Sequence, residues 1–353
     1  MRMGRRLMRA ATKSWFDRSN RGAPQGPVSR SSTGDSGSDP VLGGLEDVAA
    51  QMGAEIHPLG EDAWVVQSSR VANPKAGPVQ VQNLDDRTWV VQRSKGGVRN
   101  LRRIGPPKAR THLVSANGAA QRHARQIQQG ISDYAGEAHI AWMLRRLEIN
   151  VVLDVGANVG QFATKLREHG YEGRIISFEP LAELAEVLQK KSADDPDWQV
   201  LNYALGEEDG TAEINARPGA MSSLLPSSDF GESWHENLRK SRKETIQLRR
   251  LDSVYDDAVA GVDDPKVYLK LDTQGFDLPA FKGAGDVVKQ VRAMQSEVSC
   301  VPIYDGMPKL HETLPVYEEA GFAINGMFPV NFDGPTARVI EFDMVLIRDE
   351  SAD

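Results

Sequence analysis

From residue 121 onward the chain switches repeatedly between the three-to-four spacing of an amphipathic helix and the short apolar run of a buried strand. Gln121 to Leu147 is apolar at helical spacing. It closes on Ala141-Trp142-Met143-Leu144 and then Arg145-Arg146, a basic pair suited to the negative end of a helix dipole. Runs rich in branched residues predict strands at Val151 to Val155, Arg174 to Phe178, Gln199 to Ala204, Thr245 to Leu251, Val267 to Asp272 and Val291 to Val298. Amphipathic stretches between them predict helices at Gln161 to Glu168, Leu181 to Lys191, Leu278 to Gln290 and Leu310 to Ala320. Strands and helices alternating at this length imply a doubly wound α/β fold, a mostly parallel sheet covered on both faces by right-handed crossovers. The last two predicted strands, Phe322 to Phe328 and Arg338 to Ile347, are joined through Asn331 to Thr336. That connection is too short for a crossover helix, so the pair runs antiparallel.

Ahead of residue 121 the patterning is different. Met3, Leu7, Ala11 and Trp15 recur every four residues among Arg2, Arg5, Arg6, Arg9 and Lys13, the pattern of a short basic amphipathic helix. Two readings stay open for residues 1 to 16: a solvated terminus, or peripheral contact with a membrane surface. Residues 19 to 40 are rich in Gly, Ser, Pro and Arg and read as a disordered linker, so 1–40 forms one unit of organisation. Trp64-Val65-Val66-Gln67 returns as Trp89-Val90-Val91-Gln92, with Val79-Gln80-Val81-Gln82 between them. Period-two alternation of this kind predicts a small β-rich module over residues 41–120, followed by the α/β domain over 121–353.

Composition narrows the picture. The single cysteine, Cys300, excludes an internal disulfide framework and a cysteine-based zinc site, and fits a reducing cytoplasm. No apolar run approaches the roughly 18 residues of a bilayer span. The net charge of −7 hides an asymmetry: residues 1–110 carry 18 Lys and Arg against 10 Asp and Glu, leaving 24 against 39 for the remainder. An acidic second part argues against nucleic acid as the substrate, because phosphate binding relies on basic surface.

Candidate chemistry concentrates at strand ends. Asp154-Val155-Gly156-Ala157-Asn158-Val159-Gly160 falls where the first α/β strand meets its helix, the position at which open α/β sheets bind ligands. Gly156 and Gly160 would let a cofactor approach the backbone, with Asp154 and Asn158 as polar partners; the alternative is ordinary turn glycines and a helix cap. A dinucleotide fingerprint starting at Gly156 needs glycine at 158 and 161, where the chain has Asn158 and Gln161, which disfavours a nicotinamide cofactor. Phe178-Glu179-Pro180 places a carboxylate beside the same crevice, able to accept both hydrogen bonds of a ribose diol. The third strand ends in Asn202-Tyr203-Ala204-Leu205-Gly206, where a side chain of Asn202, Ala204 or Leu205 would meet an adenine.

Together with Leu251-Asp252-Ser253, Leu269 through Asp277, Glu297-Val298-Ser299 and Val301 through Pro308, these motifs resemble the FkbM family of methyltransferases over roughly residues 140 to 348. The resemblance implies a Rossmann-like methyltransferase sheet with a terminal antiparallel strand. It also implies S-adenosylmethionine held by the first motifs, and O-methylation of a hydroxyl on a sugar, glycolipid or natural product. The family commonly reads Asp-Val-Glu-Gly-Phe-Glu where this chain has Asp272-Thr273-Gln274-Gly275-Phe276-Asp277, so Gln274 replaces an inner glutamate. The alternative function is a non-catalytic S-adenosylmethionine-binding protein that engages a partner through its N-terminal module.

Asp272 and Glu297 end adjacent predicted strands and are the leading catalytic candidates. They are also candidate magnesium ligands by analogy with catechol O-methyltransferase. Lys270 and His235 are further catalytic candidates, His235 standing in a polar insertion, Met221 to Lys243, suited to a substrate lid; the alternative is that Asp272 caps the following turn, Glu297 pairs with a basic neighbour such as Lys270, and His235 is a solvated histidine. Replacing Asp154, Gly156 or Glu179 is expected to weaken cofactor binding with the fold intact. The partners expected are a small-molecule or glycolipid hydroxyl acceptor and, left open, a second copy of the chain.

Overall fold

In the computed structural model, residues 124–349 are described continuously, together with the backbone of six strands between residues 54 and 115; side chains are described from residue 132 onward and at Gln129. The expectations for residues 1–16 and for the linker to residue 40 lie outside the described residues. The chain divides into two compact units, one spanning residues 28–135 and the other containing 136–353. In the first, β1 (Ala54–Gly60), β2 (Ala63–Ser68), β5 (Asn100–Ile104) and β6 (Thr111–Ser115) pair antiparallel in the order β1-β2-β6-β5. The expected alternating strands appear as β3 (Val79–Asp85) and β4 (Thr88–Arg93), a separate hairpin. Helix α1 (Ala124–Arg146) follows.

The second unit is built on β7 (Val151–Val155), β8 (Arg174–Phe178), β9 (Trp198–Leu201), β13 (Val267–Leu271), β14 (Val291–Ser299), β15 (Phe322–Phe332) and β16 (Val339–Arg348). These form a seven-stranded sheet in the order β15-β16-β14-β13-β7-β8-β9. β7, β8, β9, β13 and β14 run parallel, and β16 is antiparallel to both β14 and β15. The antiparallel strand is therefore last in sequence but second in space. All five residues of β7 and of β13 are buried, as continuous apolar strands under helices on both faces require. On one face, Ile140, Met143 and Leu144 of α1 pack with Val152, Tyr268, Ala293 and Val345. The other face buries Leu153, Leu269 and Met294 against α5 (Leu251–Val259), α6 (Asp277–Lys282) and α7 (Leu310–Glu319), which supply Tyr255, Phe281 and Tyr317. Burying each such side chain contributes roughly 1.5–3 kcal/mol.

Two expectations change. The run Thr245 to Leu251 is not part of the main sheet: β12 (Arg242–Arg249) pairs with β10 (Ala204–Leu205) and, antiparallel, with β11 (Gly210–Ala216) in a separate three-stranded sheet. The helix expected over 278–290 stops at Lys282 and resumes as a 3₁₀ turn at Gly285–Gln290. Gly283 cannot carry a side chain there, because a Cβ would lie 1.9 Å from the Gly206 carbonyl oxygen.

Candidate cofactor and catalytic site

β7 is central, β8 lies on one side and β13 on the other, so the loops leaving β7 and β13 open the crevice at which the strand order reverses. Gly156 sits in that opening at φ +78°, and a Cβ on it would stand 1.9 Å from the Asp272 carbonyl oxygen. The glycine thus joins two strand ends as well as lining the crevice. Replacing it displaces backbone, which corrects the expectation that the fold would survive untouched. Gly160, at φ +80°, opens α2 (Gln161–Glu168) against Leu188 and Trp198, where a Cβ would come within 2.5 Å and 2.9 Å of their side chains.

Glu179, 4% exposed, leaves the end of β8 toward this loop. Its Oε2 accepts from the Asn158 N–H at 2.8 Å and its Oε1 from the Leu181 N–H at 3.0 Å. Asn158 takes the left-handed φ of 51° that turns its N–H to the carboxylate. Burial pushes Glu179 up to about 7, against those two donors. Asn202 Nδ2 donates to the carbonyls of Glu179 and Pro180 at 2.9 and 3.0 Å, so it shapes the loop that presents the carboxylate. Leu205 is buried in the core, and Ala204 packs beside Leu181 and Ile214, which leaves their backbone rather than their side chains to a ligand. A buried carboxylate with lone pairs to spare, flanked by a glycine that admits no Cβ, fits the ribose and adjoining atoms of S-adenosylmethionine.

Asp154 is fully buried. Strand register aligns Ser177, Asp154, Lys270 and Gln295 across β8, β7, β13 and β14. The alignment produces contacts: Trp198 Nε1 donates to Ser177 Oγ at 3.0 Å, Ser177 Oγ to Asp154 Oδ2 at 3.2 Å, and Lys270 Nζ pairs with Asp154 Oδ1 at 3.1 Å. Lys270 Nζ also reaches Asp272 Oδ2 at 3.3 Å. These two take the place of the alternative pairing of Lys270 with Glu297, because register puts Asp154 beside the lysine. Burial opposes the Lys270 charge, but Asp154 and Asp272 outweigh it and hold its pKa above that of an ordinary lysine. Lys270 and Asp154 are therefore a fixed ion pair beneath the loop.

The row ends in carboxylates. Gln274, at a left-handed φ of 55°, turns its Nε2 to Asp272 Oδ1 at 3.2 Å and Glu297 Oε2 at 3.0 Å. The Tyr304 hydroxyl, at 2.9 Å from Gln274 Oε1 and 3.0 Å from the Met221 carbonyl, donates on the far side. Asp277 clamps the loop from below: Oδ1 accepts from the Thr273 N–H at 2.7 Å and hydroxyl at 2.6 Å, and Oδ2 from Ser296 Oγ at 2.9 Å and the Glu297 N–H at 3.0 Å. Glu297 lies opposite Asp343 in the β14–β16 ladder, and Glu341 lies opposite Ser299 on the same face. Glu341 is fully buried; Asn331 Nδ2 donates to its Oε2 at 2.7 Å, while its Oε1 is without a partner among the described residues. Burial, then Glu341 and the neighbouring aspartates, raise the Glu297 carboxyl well above the usual range. Glu341 and Asp277 went unremarked as site residues in the sequence, since only register and loop closure bring them here.

The insertion expected to be a polar lid has a core of its own. Met221 and Leu238 pack with Ile303, Tyr304, Met307 and Ile340, and Phe230 and Trp234 lie against them. Ser223 Oγ donates to the Gln274 carbonyl at 2.6 Å and Ser228 Oγ to the Pro302 carbonyl at 3.0 Å, which ties the insertion to the 272–277 loop and to the segment after β14. His235 serves the local turn: its Nδ1 accepts from the Asn237 N–H at 3.2 Å, opening a 3₁₀ turn, and burial lowers its pKa. Among the described residues, no group of three or more His, Cys, Asp or Glu side chains is disposed to hold a metal ion, and no helix is long and apolar enough to cross a membrane.

Residues 154–324 match the sequence model of the family described as Methyltransferase FkbM domain. No curated protein matches the chain in sequence. Among solved structures the chain is similar to magnesium protoporphyrin IX methyltransferase from Synechocystis PCC 6803 with bound SAM, at 12% identity over 64% of this chain and 83% of that one, with a TM-score of 0.34. It is also similar to fibrillarin from Aeropyrum pernix in complex with natively bound S-adenosyl-L-methionine, at 11% identity over 83% and 97% of the two chains, with a TM-score of 0.34.

Proposed function

From the premise that residues 154–324 are a methyltransferase FkbM domain, and the chain a methyltransferase dependent on S-adenosylmethionine, we propose that it methylates a hydroxyl oxygen of a sugar, glycolipid or natural product. The observation that carries the reading is the buried Glu297 carboxyl beside Asp272, at the ends of adjacent strands and next to the Gly156 loop. S-adenosylmethionine, when bound, supplies an electrophilic methyl group. Glu179 is positioned to accept from the ribose hydroxyls, and the Gly156 and Asn158 backbone lines the same pocket. Asp272 is the open carboxylate, its side chain 38% exposed, and Lys270 balances its charge. In its ionised form Glu297 takes the proton that the acceptor hydroxyl loses on methylation. A carboxyl with a raised pKa suits that proton better than an ordinary glutamate. Orientation of the hydroxyl along the transfer axis supplies the rest of the rate, so the rigidity of the Asp277-clamped loop matters.

Magnesium, a candidate from the sequence, is assigned no step. The Gln274 amide already lies between Asp272 and Glu297 as a donor, where a cation shared by those two carboxylates would sit. The test is an acceptor screen with labelled cofactor, with and without EDTA, in wild type, Asp272→Asn and Glu297→Gln. Lost turnover with retained cofactor affinity in Glu297→Gln is expected, with no EDTA effect. Near-normal turnover in that variant overturns the base assignment, and EDTA sensitivity overturns the metal-free one.

A further inference from the structure

Arg217 follows the last residue of β11 and is 8% exposed. Its own N–H donates to Ser222 Oγ at 2.9 Å, and its guanidinium lies over the Tyr304 ring, 5.5 Å from the centroid. Nη1 alone meets backbone, at 3.3 Å from the Asn215 carbonyl and 3.4 Å from that of Met221. Nε is buried without an acceptor, and among the described residues Nη2 has no acceptor and no carboxylate forms an ion pair with the group. Burial pulls its pKa below the ordinary arginine value, with Tyr304 and then Glu232 opposing.

Other arginines of the domain are resolved differently. Arg167 and Arg250 sit on Asp195 and Asp252, and Arg348 places Nε, Nη1 and Nη2 each on a backbone carbonyl. Arg217 is instead a buried cation whose Nε–Nη2 edge has no acceptor among the described residues, and that edge is the fork on which arginine takes an oxyanion through two parallel hydrogen bonds. Leaving a buried charge unanswered is unfavourable, so the arrangement gains when an anion docks. The place matters too. The Tyr304 ring beneath Arg217 carries the hydroxyl bound to Gln274, and Gln274 bonds both Asp272 and Glu297.

We propose that the Nε–Nη2 edge of Arg217 binds an oxyanion of the methyl acceptor, a carboxylate or a phosphoryl group, so that the acceptor is a hydroxylated acid or a phosphoester. The inference rests on the methyltransferase reading for the identity of the anion's carrier. The carboxylates of Asp272 and Glu297, linked to Arg217 through Tyr304 and Gln274, would repel such an anion rather than hold it. With Arg217, one acceptor molecule is held at two points, its anion on the guanidinium and its hydroxyl toward Glu297.

The experiment titrates the full chain with inorganic phosphate and separately with acetate, by calorimetry at constant ionic strength in chloride, in wild type, Arg217→Met and Arg217→Lys. Wild type is expected to bind at least one probe saturably, and Arg217→Met to lose about tenfold or more in affinity, the usual effect of deleting a charged hydrogen-bond donor. Arg217→Lys, which keeps the charge without the fork, falls between them. Phosphate binding alone points to a phosphoester and acetate binding alone to a carboxylic acid. S-adenosylmethionine affinity, unchanged in both variants, certifies the fold. Absence of saturable binding in wild type, or equal affinity in Arg217→Met, overturns the proposal; if Arg217→Met does not fold, equal affinity in Arg217→Lys does so. Neither probe needs methyl transfer, so loss of S-adenosylmethionine binding or turnover bears on the methyltransferase reading and leaves this one to the anion titration.

Discussion

Glu179→Gln separates the electrostatic role of this carboxyl from its shape. In the folded chain burial raises the Glu179 pKa from its ordinary 4.5 to about 7, although two backbone N–H groups favour the ionised form. The folded state therefore holds the proton more tightly than the unfolded chain. Its stabilising contribution is fully present below pH 4.5 and is lost as pH rises through 7. That interval corresponds to roughly 3 kcal/mol. The assay is denaturant unfolding of wild type and Glu179→Gln at about pH 5 and pH 8. Glutamine does not titrate, so wild type should lose roughly 2.5 kcal/mol more than the variant between the two conditions. Other titrating groups cancel in the difference, as does the fixed loss of one acceptor in the variant. Parallel pH dependence in the two proteins would refute the reasoning.

The same carboxyl makes a second, independent reading. Ribose hydroxyls donate to an ionised carboxylate, so S-adenosylmethionine binding displaces the Glu179 proton. Affinity should rise up to about tenfold per pH unit below 7 and level off above it. Glu179→Gln should flatten the profile and weaken binding. A wild-type affinity indifferent to pH between 5.5 and 7 would sink the ribose assignment while leaving the burial argument standing.

Gly156→Ala forces a Cβ onto the Asp272 carbonyl at a left-handed φ, and should destabilise the domain by about 2–4 kcal/mol in chemical denaturation; a change under about 1 kcal/mol contradicts the close approach. Lys270→Met strands the buried Asp154 carboxylate and should cost about 3–5 kcal/mol, of which Asp154→Leu in the same chain recovers a large part in a double-mutant cycle. Additive losses would mean the pair is not coupled. Turnover should keep climbing with pH beyond the range in which an ordinary carboxyl ionises, because the Glu297 carboxyl must ionise from a raised pKa before it can act; a profile already flat above pH 5 argues against it as base. Asp277→Asn replaces one of the two acceptor oxygens with a donor, so either the Thr273 bonds or those from Ser296 and the Glu297 N–H are lost, and kcat should fall with little change in S-adenosylmethionine affinity; an unaltered kcat would show that the clamp is dispensable.

The β7–α2–β8–α3 run, with α3 at Ala182–Ser192, was legible because apolar strands buried on both faces leave an uninterrupted signal and Gly156 and Gly160 punctuate it. β12 was misplaced for a readable reason: its burial alternates, Ile246 inward between exposed neighbours, as in an antiparallel ribbon rather than a doubly covered strand. α5 escaped notice although Leu251, Tyr255 and Ala258 share its buried face, because it begins directly where β12 ends, with no turn residue between. The Gly156 loop at the strand-order reversal could be located from local motif alone. The Asp154–Lys270 pair, Glu341 beside Glu297, and Arg217 over Tyr304 were not, because each depends on register or packing between segments far apart in the chain.

Gln274 now has a physical account. A glutamate there, as the family commonly carries, would put a carboxylate between Asp272 and Glu297, in a place that already holds Asp277, Glu341 and Asp343. Glutamine keeps the length and replaces repulsion with two donated bonds, its orientation set by the carboxylates on one side and the Tyr304 hydroxyl on the other. The shorter Asp277 completes the change, since it reaches Thr273, Ser296 and the Glu297 backbone at once. The two departures act on one object, the position of the Glu297 carboxyl. The single substitution Gln274→Glu should therefore lower kcat more than the likeness in shape suggests, because the added charge falls among carboxylates and Lys270 is already held by Asp154 and Asp272. A kcat equal to that of wild type would count against this account.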